Sequence, residues 1–599
     1  MPLNAIHSHI LTRLEAAATR FRRPVTANLR FFIAATLLGA ITPLFFALSQ
    51  GARIMWLMLF AATQSAAIAY LICLLATHIT AAKARSLLKA TYLSLIIVSA
   101  AVECGSIIFT GEAVGPDSLG LVIETNPSEI KGFASQYMSA IGLLTVAAII
   151  IACLLVAATI NFFIKKRPTQ RGRLVVSVTL FATICFGAFR EAQLLRGLFI
   201  NDYRGFLLWV SQDPGNPVLI RTNQLKFADP LPKWTYLIKD RAMQQADIGR
   251  WEETQQDVLE NPAKPSSPHD FNIVVIIGES FIQSHSSLYG YTLPTNPRLG
   301  SENERGNLVA YTDIISTANF TTTSLRNMLN LNDLSQGEQW WSAPYFPLLL
   351  KQAGWQTCHF DNQTISSSSD IGLARMIYSP INIRHTYDGV SDSIFKYDGE
   401  FAGHAARKLA ALPATGKKFV TYHLWGQHFD CRNRFPGTPR FTAKDITVSR
   451  PWLEDSHRQE IADYDSATYY NDSVVGAIID YWRDTPTLLF YFSDHGEDCW
   501  DLAPMGARNH PRPDDRAWLD RQYRVPFFVW MSDPFKDCHP DLVKKITASR
   551  DRSGMLDNFG QMVLGLGEVT TPYYRPRRDI TSPDYQFMPR VTSEGYRFD

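Results

Sequence analysis

Apolar residues are concentrated in the first third of the chain. They form five long runs, at about 31–50, 54–77, 88–110, 137–163 and 174–190. Each run approaches the roughly 20 residues that an α-helix needs to cross a bilayer. The first run is also too long for a cleaved signal peptide and lacks a small-residue cleavage site. The pattern therefore predicts an all-α bundle of about five transmembrane helices in residues 1–190.

Basic residues alternate along this part of the chain in a way that sets its orientation. Arg and Lys cluster before the first run, between the second and third, and between the fourth and fifth, whereas the loops at 51–53 and about 111–136 carry few. By the positive-inside rule the amino terminus is cytoplasmic and everything after Arg190 lies outside the membrane. Buried helices of a soluble protein are the alternative, which the alternating charges disfavour.

The pattern changes to short buried strands after Phe271. β-branched and aromatic runs such as NIVVIIG, KKFVTYH, TLLFYFS and FFVWM alternate with amphipathic segments, including one around 465–483. This alternation predicts a mostly parallel sheet covered by helices on both faces, an α/β/α domain at 271–599. The stretch between, 191–270, predicts helices at the membrane interface followed by a Pro/Ser-rich linker at 261–270.

Composition narrows the classes of function. Lys and Arg number 58 against 56 Asp and Glu, and no basic block or aromatic-basic groove motif occurs, so a nucleic-acid partner is not expected. Eight cysteines are present, four of them in the exported part. There an oxidising compartment permits two disulfides in any of three pairings. These four are Cys358, Cys431, Cys499 and Cys538.

Polar residues follow the predicted strands directly. Glu279 ends one such run, His423 and His428 follow another, and a third ends in Asp494, His495 and Glu497. Active sites gather at the carboxyl ends of parallel strands, and carboxylates with imidazole are zinc ligands. Taken singly, a carboxylate here is more often a loop residue and a histidine more often a core residue. Together with the hydroxyls of 319–324 they predict a zinc site.

At this point the sequence resembles a known family. VVIIGES, SLYGYTLPTNP, STANFTTTSLRNML, HLWGQHFDCRNRFP, YYNDSVVGAIIDYW and FYFSDHGED together are similar to the lipopolysaccharide phosphoethanolamine transferases, most of all the branch that modifies core heptose. The resemblance covers nearly the whole chain. It implies about five membrane helices and an alkaline-phosphatase or sulfatase-like catalytic domain that binds one or two zinc ions. It also implies a bacterial inner-membrane protein whose catalytic domain lies in the periplasm.

The resemblance also implies roles for particular residues. Zinc would be held by Glu279, Thr321, Asp494 and His495, with Thr321 as nucleophile, although a shift of one position within Thr321–Thr323 stays open. Phosphatidylethanolamine would donate its headgroup to Thr321, and lipopolysaccharide would accept it in a second step. Substrate or a second zinc would face three further histidines, which are His423, His428 and His510.

The membrane part carries its own candidates. In the family an outward loop places an Asn, a Thr and a Glu at four-residue spacing against the donor lipid. Thr125 and Glu129 match this pattern, but Leu121 stands where the Asn is expected, so helix capping is the alternative role. Glu103 lies inside the third span, where a carboxylate is expensive, and is a functional or interface candidate unless it reaches interfacial water.

Other functions are alternatives to the transferase. A phosphoglycerol transferase or a phosphodiester hydrolase could use the same scaffold. A sulfatase is disfavoured because residues 316–329 lack its Cys/Ser-x-Pro-x-Arg nucleophile motif. A membrane sensor or assembly protein with a degenerate domain would be expected to have lost a metal ligand, yet all four candidates are present.

Overall fold

Long apolar helices make up the first part of the computed structural model, and a sheet flanked by helices makes up the second. The chain divides into two compact units, Met1–Ala242 and Met243–Asp599. The structure describes residues 3–50, 55–110, 114, 140–163, 169–199, 230–265, 270–363, 372–391, 393–413, 416–502 and 515–599.

The first unit confirms the predicted helical membrane part. Four of its described helices are long and apolar enough to cross a membrane, and a pair of helices bent by 77° makes a fifth span if it is counted as one. The bent pair comprises the first two helices, at 12–27 and 29–41. The helices are α1 (Leu3–Ala27), α2 (Leu29–Gln50), α3 (Met55–His78), α4 (Ala82–Thr110), α5 (Ala140–Phe163), α6 (Gln170–Phe199) and the start of α7 (Pro230–Glu260).

Small residues let these helices pack closely. A Cβ atom added to Gly187 of α6 would lie 2.0 Å from the carbonyl oxygen of Thr63 in α3, so only glycine permits this approach. Close packing through small residues is the usual way in which membrane helices associate, since lipid offers no hydrophobic driving force between them.

Glu103 has a partner of opposite charge inside the first unit. Its carboxylate pairs with the ammonium of Lys233, and both side chains are almost fully buried. The backbone N–H of Val114 donates to the other carboxylate oxygen, Oε2, at 3.2 Å. Neutralisation by Lys233 offsets the cost of burying Glu103, so this carboxylate is accounted for by the interior of the helical unit rather than by interfacial water.

The second unit contains a seven-stranded sheet. Five neighbouring strands are parallel, the sixth pairs antiparallel with them, and the edge strand pairs antiparallel with the sixth, which confirms the mostly parallel sheet. Their order across the sheet is β3 (Leu308–Tyr311), β9 (Phe527–Met531), β8 (Thr487–Ser493), β2 (Asn272–Gly278), β7 (Lys418–His423), β5 (Gln356–Asp361) and β6 (Gly389–Ser391).

Helices cover both faces because the central strands are apolar on both. In β2, Ile273, Val275 and Ile277 pack into one core cluster. Val274 and Ile276 pack into the other. The helices of this unit are α8 (Pro297–Glu304), α9 (Thr321–Leu329), α10 (Phe346–Gln352), α11 (Gly372–Ile377), α12 (Asp398–Ala410), α13 (Asp455–Trp482), α14 (Arg516–Tyr523), α15 (Asp533–Cys538), α16 (Pro540–Ala548) and α17 (Phe559–Leu566).

Two short strand pairs complete the unit. The predicted linker region contributes β1 (Lys264–Pro265), which pairs antiparallel with β11 (Val569–Thr570). Trp251 of α7 is fully buried in the main core, so that helix ends as part of the second unit. The other pair is parallel and joins β4 (Ile314–Ile315) to β10 (Gly554–Met555). It fixes the segment that leads into α9.

All eight cysteines are free thiols in the structure. The two disulfides that the sequence permits among Cys358, Cys431, Cys499 and Cys538 are therefore not formed here. Cys358 and Cys499 are buried, and burial raises the pKa of the Cys358 thiol to about 11. Cys358, which lies in β5, therefore packs in the core as a protonated thiol.

Candidate active site

The register of the sheet brings Glu279 and Asp494 together. Gly278 at the end of β2 is paired with Ser493 at the end of β8, so the next residue of each strand is a carboxylate at the same edge. His495 follows Asp494, and all three side chains are fully buried. Nε2 of His495 lies 3.3 Å from Oε1 of Glu279 and 3.4 Å from Oδ2 of Asp494.

These three atoms are all hydrogen-bond acceptors when the histidine is neutral. His495 Nδ1 lies 2.8 Å from the carbonyl oxygen of Gly496, which can only accept, so Nδ1 carries the proton and Nε2 carries the lone pair. Two carboxylate oxygens and a lone pair that converge in a buried site repel one another unless a cation or extra protons lie between them. The arrangement is that of a metal site.

Zinc fits this donor set. The three side chains each offer one ligand atom, and these atoms lie within 4.8 Å of one another. Oδ1 of Asp494 accepts from the backbone N–H groups of Ser280 and His495, whereas the buried Oδ2 has no hydrogen-bond partner among the described residues. Burial, together with the charge of Glu279, raises the pKa of Asp494 to about 6. Oxygen and imidazole donors without thiolate suit a catalytic zinc with an open position.

Thr321 lies beside this group at the first position of α9. Its hydroxyl donates to Oε2 of Glu279 at 3.0 Å. The first turn of a helix has free backbone N–H groups and a partial positive charge, so it is a natural place for a phosphate group. Contact with Glu279 favours Thr321 as the reactive hydroxyl within the run Thr321–Thr323.

Two serines fasten α9 to the metal-site strand. Ser324 Oγ donates to the carbonyl oxygen of Asp494 at 2.6 Å, and Ser316 Oγ lies 2.9 Å from Ser324 Oγ. The hydroxyl of Ser316 also donates to the Asp494 carbonyl. The helix that carries Thr321 is therefore tied directly to the backbone of a metal-site residue.

The loop after β2 is equally constrained. Ser280 adopts the left-handed region at φ 54°, and its hydroxyl donates to Glu279 Oε1 at 2.7 Å. The Tyr464 hydroxyl donates to the Ser280 carbonyl at 2.7 Å and accepts from the Ile282 N–H at 2.8 Å. A Cβ on Gly426 would lie 2.8 Å from the backbone nitrogen of Glu279, so this position of the HLWGQH segment requires glycine. Non-glycine residues in the left-handed region often mark functional sites.

His423 lies behind the metal site, in contact with a carboxylate. Its Nδ1 is 3.1 Å from Oδ1 of Asp361, and the two residues are paired in the register of β7 and β5. Burial alone lowers the pKa of His423, but the charge of Asp361 outweighs it and the pKa is raised. Nε2 of His423 has no hydrogen-bond partner in the described part of the chain.

The remaining predicted residues lie elsewhere or outside the described chain. His428 is half-buried, with Nδ1 2.8 Å from the carbonyl oxygen of Phe429 and its ring stacked on Phe429. It is not part of the group of three metal-type residues. His510, Thr125 and Glu129 lie outside the described residues.

Known proteins are similar to this chain in sequence and in fold. Residues 271–567 match the Sulfatase family model. Phosphoethanolamine transferase EptC of Escherichia coli K12 is 24% identical over 509 residues, which cover 83% of this chain and 83% of that protein. This chain is similar to the phosphoethanolamine transferases over most of its length.

Two solved structures of such transferases extend the comparison. The integral membrane protein lipooligosaccharide phosphoethanolamine transferase A of Neisseria meningitidis is 16% identical, covers 92% of this chain and 97% of its own, and has a TM-score of 0.59. The likeness shows the fold of a helical membrane part followed by a sulfatase-like domain. The C-terminal periplasmic domain of Escherichia coli EptC, crystallised as a complex with Zn, is 24% identical, with a TM-score of 0.47 and coverage of 55% of this chain and 92% of its own.

The candidate site contains residues that the sequence motifs did not indicate. Gln363 donates from Nε2 to Glu279 Oε2 at 3.2 Å, and it also donates to the carbonyl oxygen of Leu424. No pattern in the sequence marks it. Asp361 could have been found, because it is a carboxylate at the carboxyl end of β5, as Glu279 is directly after β2.

A buried imidazole lies just downstream of Glu279. His285 Nδ1 is 2.8 Å from Asp465 and Nε2 is 3.3 Å from Asp501, whose carboxylate also accepts from Arg450 and Arg521. Burial alone lowers the pKa of His285, but the two carboxylates outweigh it and raise the pKa to about 10. The imidazolium therefore holds the loop after Glu279 against α13 at neutral pH.

We expect His285→Gln to destabilise the protein and to alter its response to pH. Breaking a buried ion pair costs about 3–5 kcal/mol, because the remaining charges are left buried and unpaired. Since the folded-state pKa of His285 is about 10, its contribution is complete below the unfolded-state value of about 6.5 and is lost as pH rises toward 10. Thermal unfolding of the detergent-solubilised protein at several pH values measures both effects.

The matched control for this measurement is His404→Gln. His404 is half-buried on α12, and burial lowers its pKa. We expect this control to melt close to the wild type at every pH. An unchanged unfolding curve for His285→Gln between pH 6 and 10 would contradict the assigned charge.

Proposed function

We propose that this protein transfers phosphoethanolamine from phosphatidylethanolamine to lipopolysaccharide through a covalent phosphoethanolamine–threonine intermediate on Thr321. The observation that carries the proposal is the hydroxyl of Thr321, 3.0 Å from Glu279 Oε2 at the start of a helix. Glu279, Asp494 and His495 form a buried donor set immediately beside it. The relationship to proteins named phosphoethanolamine transferase supports the choice of headgroup.

In the first half-reaction the oxygen of Thr321 attacks the phosphorus of the lipid. An O–P bond forms to Thr321, and the bond from phosphorus to the diacylglycerol oxygen breaks. Glu279 already accepts the hydrogen bond of the attacking hydroxyl, so it is placed to receive the proton of Thr321 and to pass it to the leaving diacylglycerol oxygen. The partial positive charge at the start of α9 stabilises the phosphate.

Zinc would be held by Glu279, Asp494 and His495, with Thr321 at the open position. When bound there, it would favour the ionised hydroxyl and neutralise the charge that develops on the phosphoryl oxygens. Either one or two ions are compatible with this proposal.

In the second half-reaction a sugar hydroxyl of the acceptor attacks the phosphorus and releases Thr321. A histidine near the phosphate can take the proton of that hydroxyl. His423 suits this role because Asp361 orients its ring from Nδ1 while Nε2 stays available. We also propose that His428 and His510 face the substrate, since His428 follows β7 and His510 follows Asp494 and His495 along the chain. Two chemical steps through one intermediate imply ping-pong kinetics.

The membrane helices support the proposed lipid donor and the proposed location of the protein. The described apolar helices suit a multi-pass protein of the bacterial inner membrane, with the catalytic domain in the periplasm. We propose that Thr125 and Glu129 contact the donor lipid and that core heptose rather than lipid A accepts the phosphoethanolamine. We take residues 1–190 as the membrane domain, 191–270 as interfacial helices with a linker, and 271–599 as the catalytic domain.

We expect Thr321→Ala to lower transfer at least about a thousandfold, the scale on which removal of a nucleophile acts. Membranes are incubated with phosphatidylethanolamine labelled in its headgroup, and the label on the protein is located by mass spectrometry of peptides. Wild-type protein carries the label on Thr321, whereas the variant carries none.

Thr322→Ala and Thr323→Ala are the matched controls, and we expect both to keep labelling. Label on either neighbour would move the nucleophile by one or two positions. Release of diacylglycerol without any labelled threonine would indicate a hydrolase, labelling from a phosphatidylglycerol donor instead would indicate a phosphoglycerol transferase, and no release from either lipid would indicate a non-enzymatic protein.

We expect Asp494→Asn and His495→Gln to lose bound zinc. Each removes a ligand atom from a buried set of three, and a lost ligand weakens a zinc site severely. Elemental analysis of purified, dialysed protein measures zinc per chain, so the readout does not depend on activity. Glu304→Gln, a change at an exposed carboxylate of α8, is the control and should keep its zinc. Wild-type zinc content in both ligand variants would contradict the site.

We expect cells that lack this gene to lose phosphoethanolamine from the core heptose of their lipopolysaccharide. Mass spectrometry of core oligosaccharide and of lipid A, analysed separately, distinguishes the two acceptors. Restoring the wild-type gene should restore the modification, and restoring Thr321→Ala should not. Loss from lipid A alone would overturn the choice of acceptor but not of reaction.

A further inference from the structure

A hairpin at residues 590–599, here called the strap, contacts the segment that precedes the nucleophile. Val591 and Arg597 form an isolated antiparallel bridge, and Gly595 at φ 84° closes the turn between them. The turn presents two residues to the Ser316–Phe320 segment, here called the nucleophile loop. Ser593 N–H donates to the carbonyl oxygen of Thr317 at 2.8 Å.

The second contact is made by a side chain. Asn319 N–H donates to Oε1 of Glu594 at 3.2 Å. Asn319 is 99% buried and lies two residues before Thr321. A buried backbone N–H that loses its acceptor is destabilising, so the conformation of the nucleophile loop depends on this carboxylate.

The strap is itself firmly attached to the catalytic unit. The Tyr596 ring packs against Trp518 with centroids 5.9 Å apart. The guanidinium of Arg590 donates to Oδ1 of Asp313 at 2.8 Å and to Oδ1 of Asp599 at 2.7 Å. The guanidinium of Arg516 lies 3.9 Å from the centroid of the Phe598 ring. A turn held in this way can fix the loop that it touches.

The opposite side of the nucleophile loop is tied to the metal site. Ser316 and Ser324 both donate to the carbonyl oxygen of Asp494. The strap therefore supplies the second of two supports, and within it Glu594 makes the contact nearest to Thr321. Without this carboxylate, the end of the nucleophile loop that leads into α9 could shift away from the proposed metal site.

We propose that Glu594 is a positioning residue for phosphoryl transfer, which acts by holding Asn319 so that the Thr321 hydroxyl faces the phosphorus. The inference rests on the proposed function of Thr321. Its effect comes from geometry, since a displacement of about 1 Å at a reacting group can cost on the order of a hundredfold in rate. Gln can replace Glu in this role because its amide oxygen also accepts a hydrogen bond.

The test compares Glu594→Ala with Glu594→Gln in the full-length enzyme. We expect Glu594→Ala to lower the single-turnover rate of Thr321 labelling from phosphatidylethanolamine about tenfold or more, while the donor concentration for half-maximal rate stays within about twofold. Glu594→Gln should label within about twofold of the wild-type rate. Ser593→Ala keeps the backbone N–H that donates to Thr317 and is the control.

A second readout does not require catalysis. Hydrogen exchange at the Asn319 amide should accelerate in Glu594→Ala and stay slow in Glu594→Gln, with zinc content unchanged in both. Wild-type labelling speed in Glu594→Ala would overturn this inference while leaving the transferase proposal intact. Equal slowing in the Ala and Gln variants would also overturn it, because a charge effect would then be responsible. A wild-type enzyme that never labels Thr321 would overturn the proposed function together with this inference.

Discussion

The catalytic unit depends on the convergence of three acceptor atoms at one buried point. Glu279, Asp494 and His495 each offer one ligand atom, these atoms lie within 4.8 Å of one another, and each side chain is fully buried. Left alone, these groups repel, so a cation or added protons at that point stabilise the folded state. Sheet register forces the convergence, since β2 and β8 end side by side. The same constraint that makes the site costly also makes it selective for a metal.

That register explains what could be read from the sequence. The ends of strands are recognisable in the sequence as abrupt changes from apolar to polar residues. Apolar strands followed by Glu279 and Asp494 therefore predict a site at the carboxyl edge of a parallel sheet. The long membrane helices are equally visible, since their signal is local. For the same reason His423 was found, but its partner Asp361 was not, although both end neighbouring strands. A polar residue after a strand indicates a position but not a partner.

Contacts between distant segments could not be predicted. Asn319 and Glu594 are 275 residues apart, and Glu279 and Gln363 are 84 apart. Neither pair follows a motif, because a single carboxylate or amide in a turn has no spacing rule. The sequence likewise did not identify Lys233 as the partner of Glu103, although the cost of burying a carboxylate required a partner of some kind. The sequence indicates where a buried charge needs a partner, but not which residue provides it.

Support of Thr321 from two sides has a physical reason. In the proposed mechanism its side chain must move through attack and release, since the same oxygen forms and then loses a bond to phosphorus. It must also return to one geometry after each turnover. Hydrogen bonds from Ser316 and Ser324 to the Asp494 carbonyl couple α9 to a residue of the proposed metal site. The strap holds the preceding loop from the other side through Thr317 and Asn319. Restraining the backbone on both sides leaves the hydroxyl as the freely moving part, which is what preorganised catalysis requires.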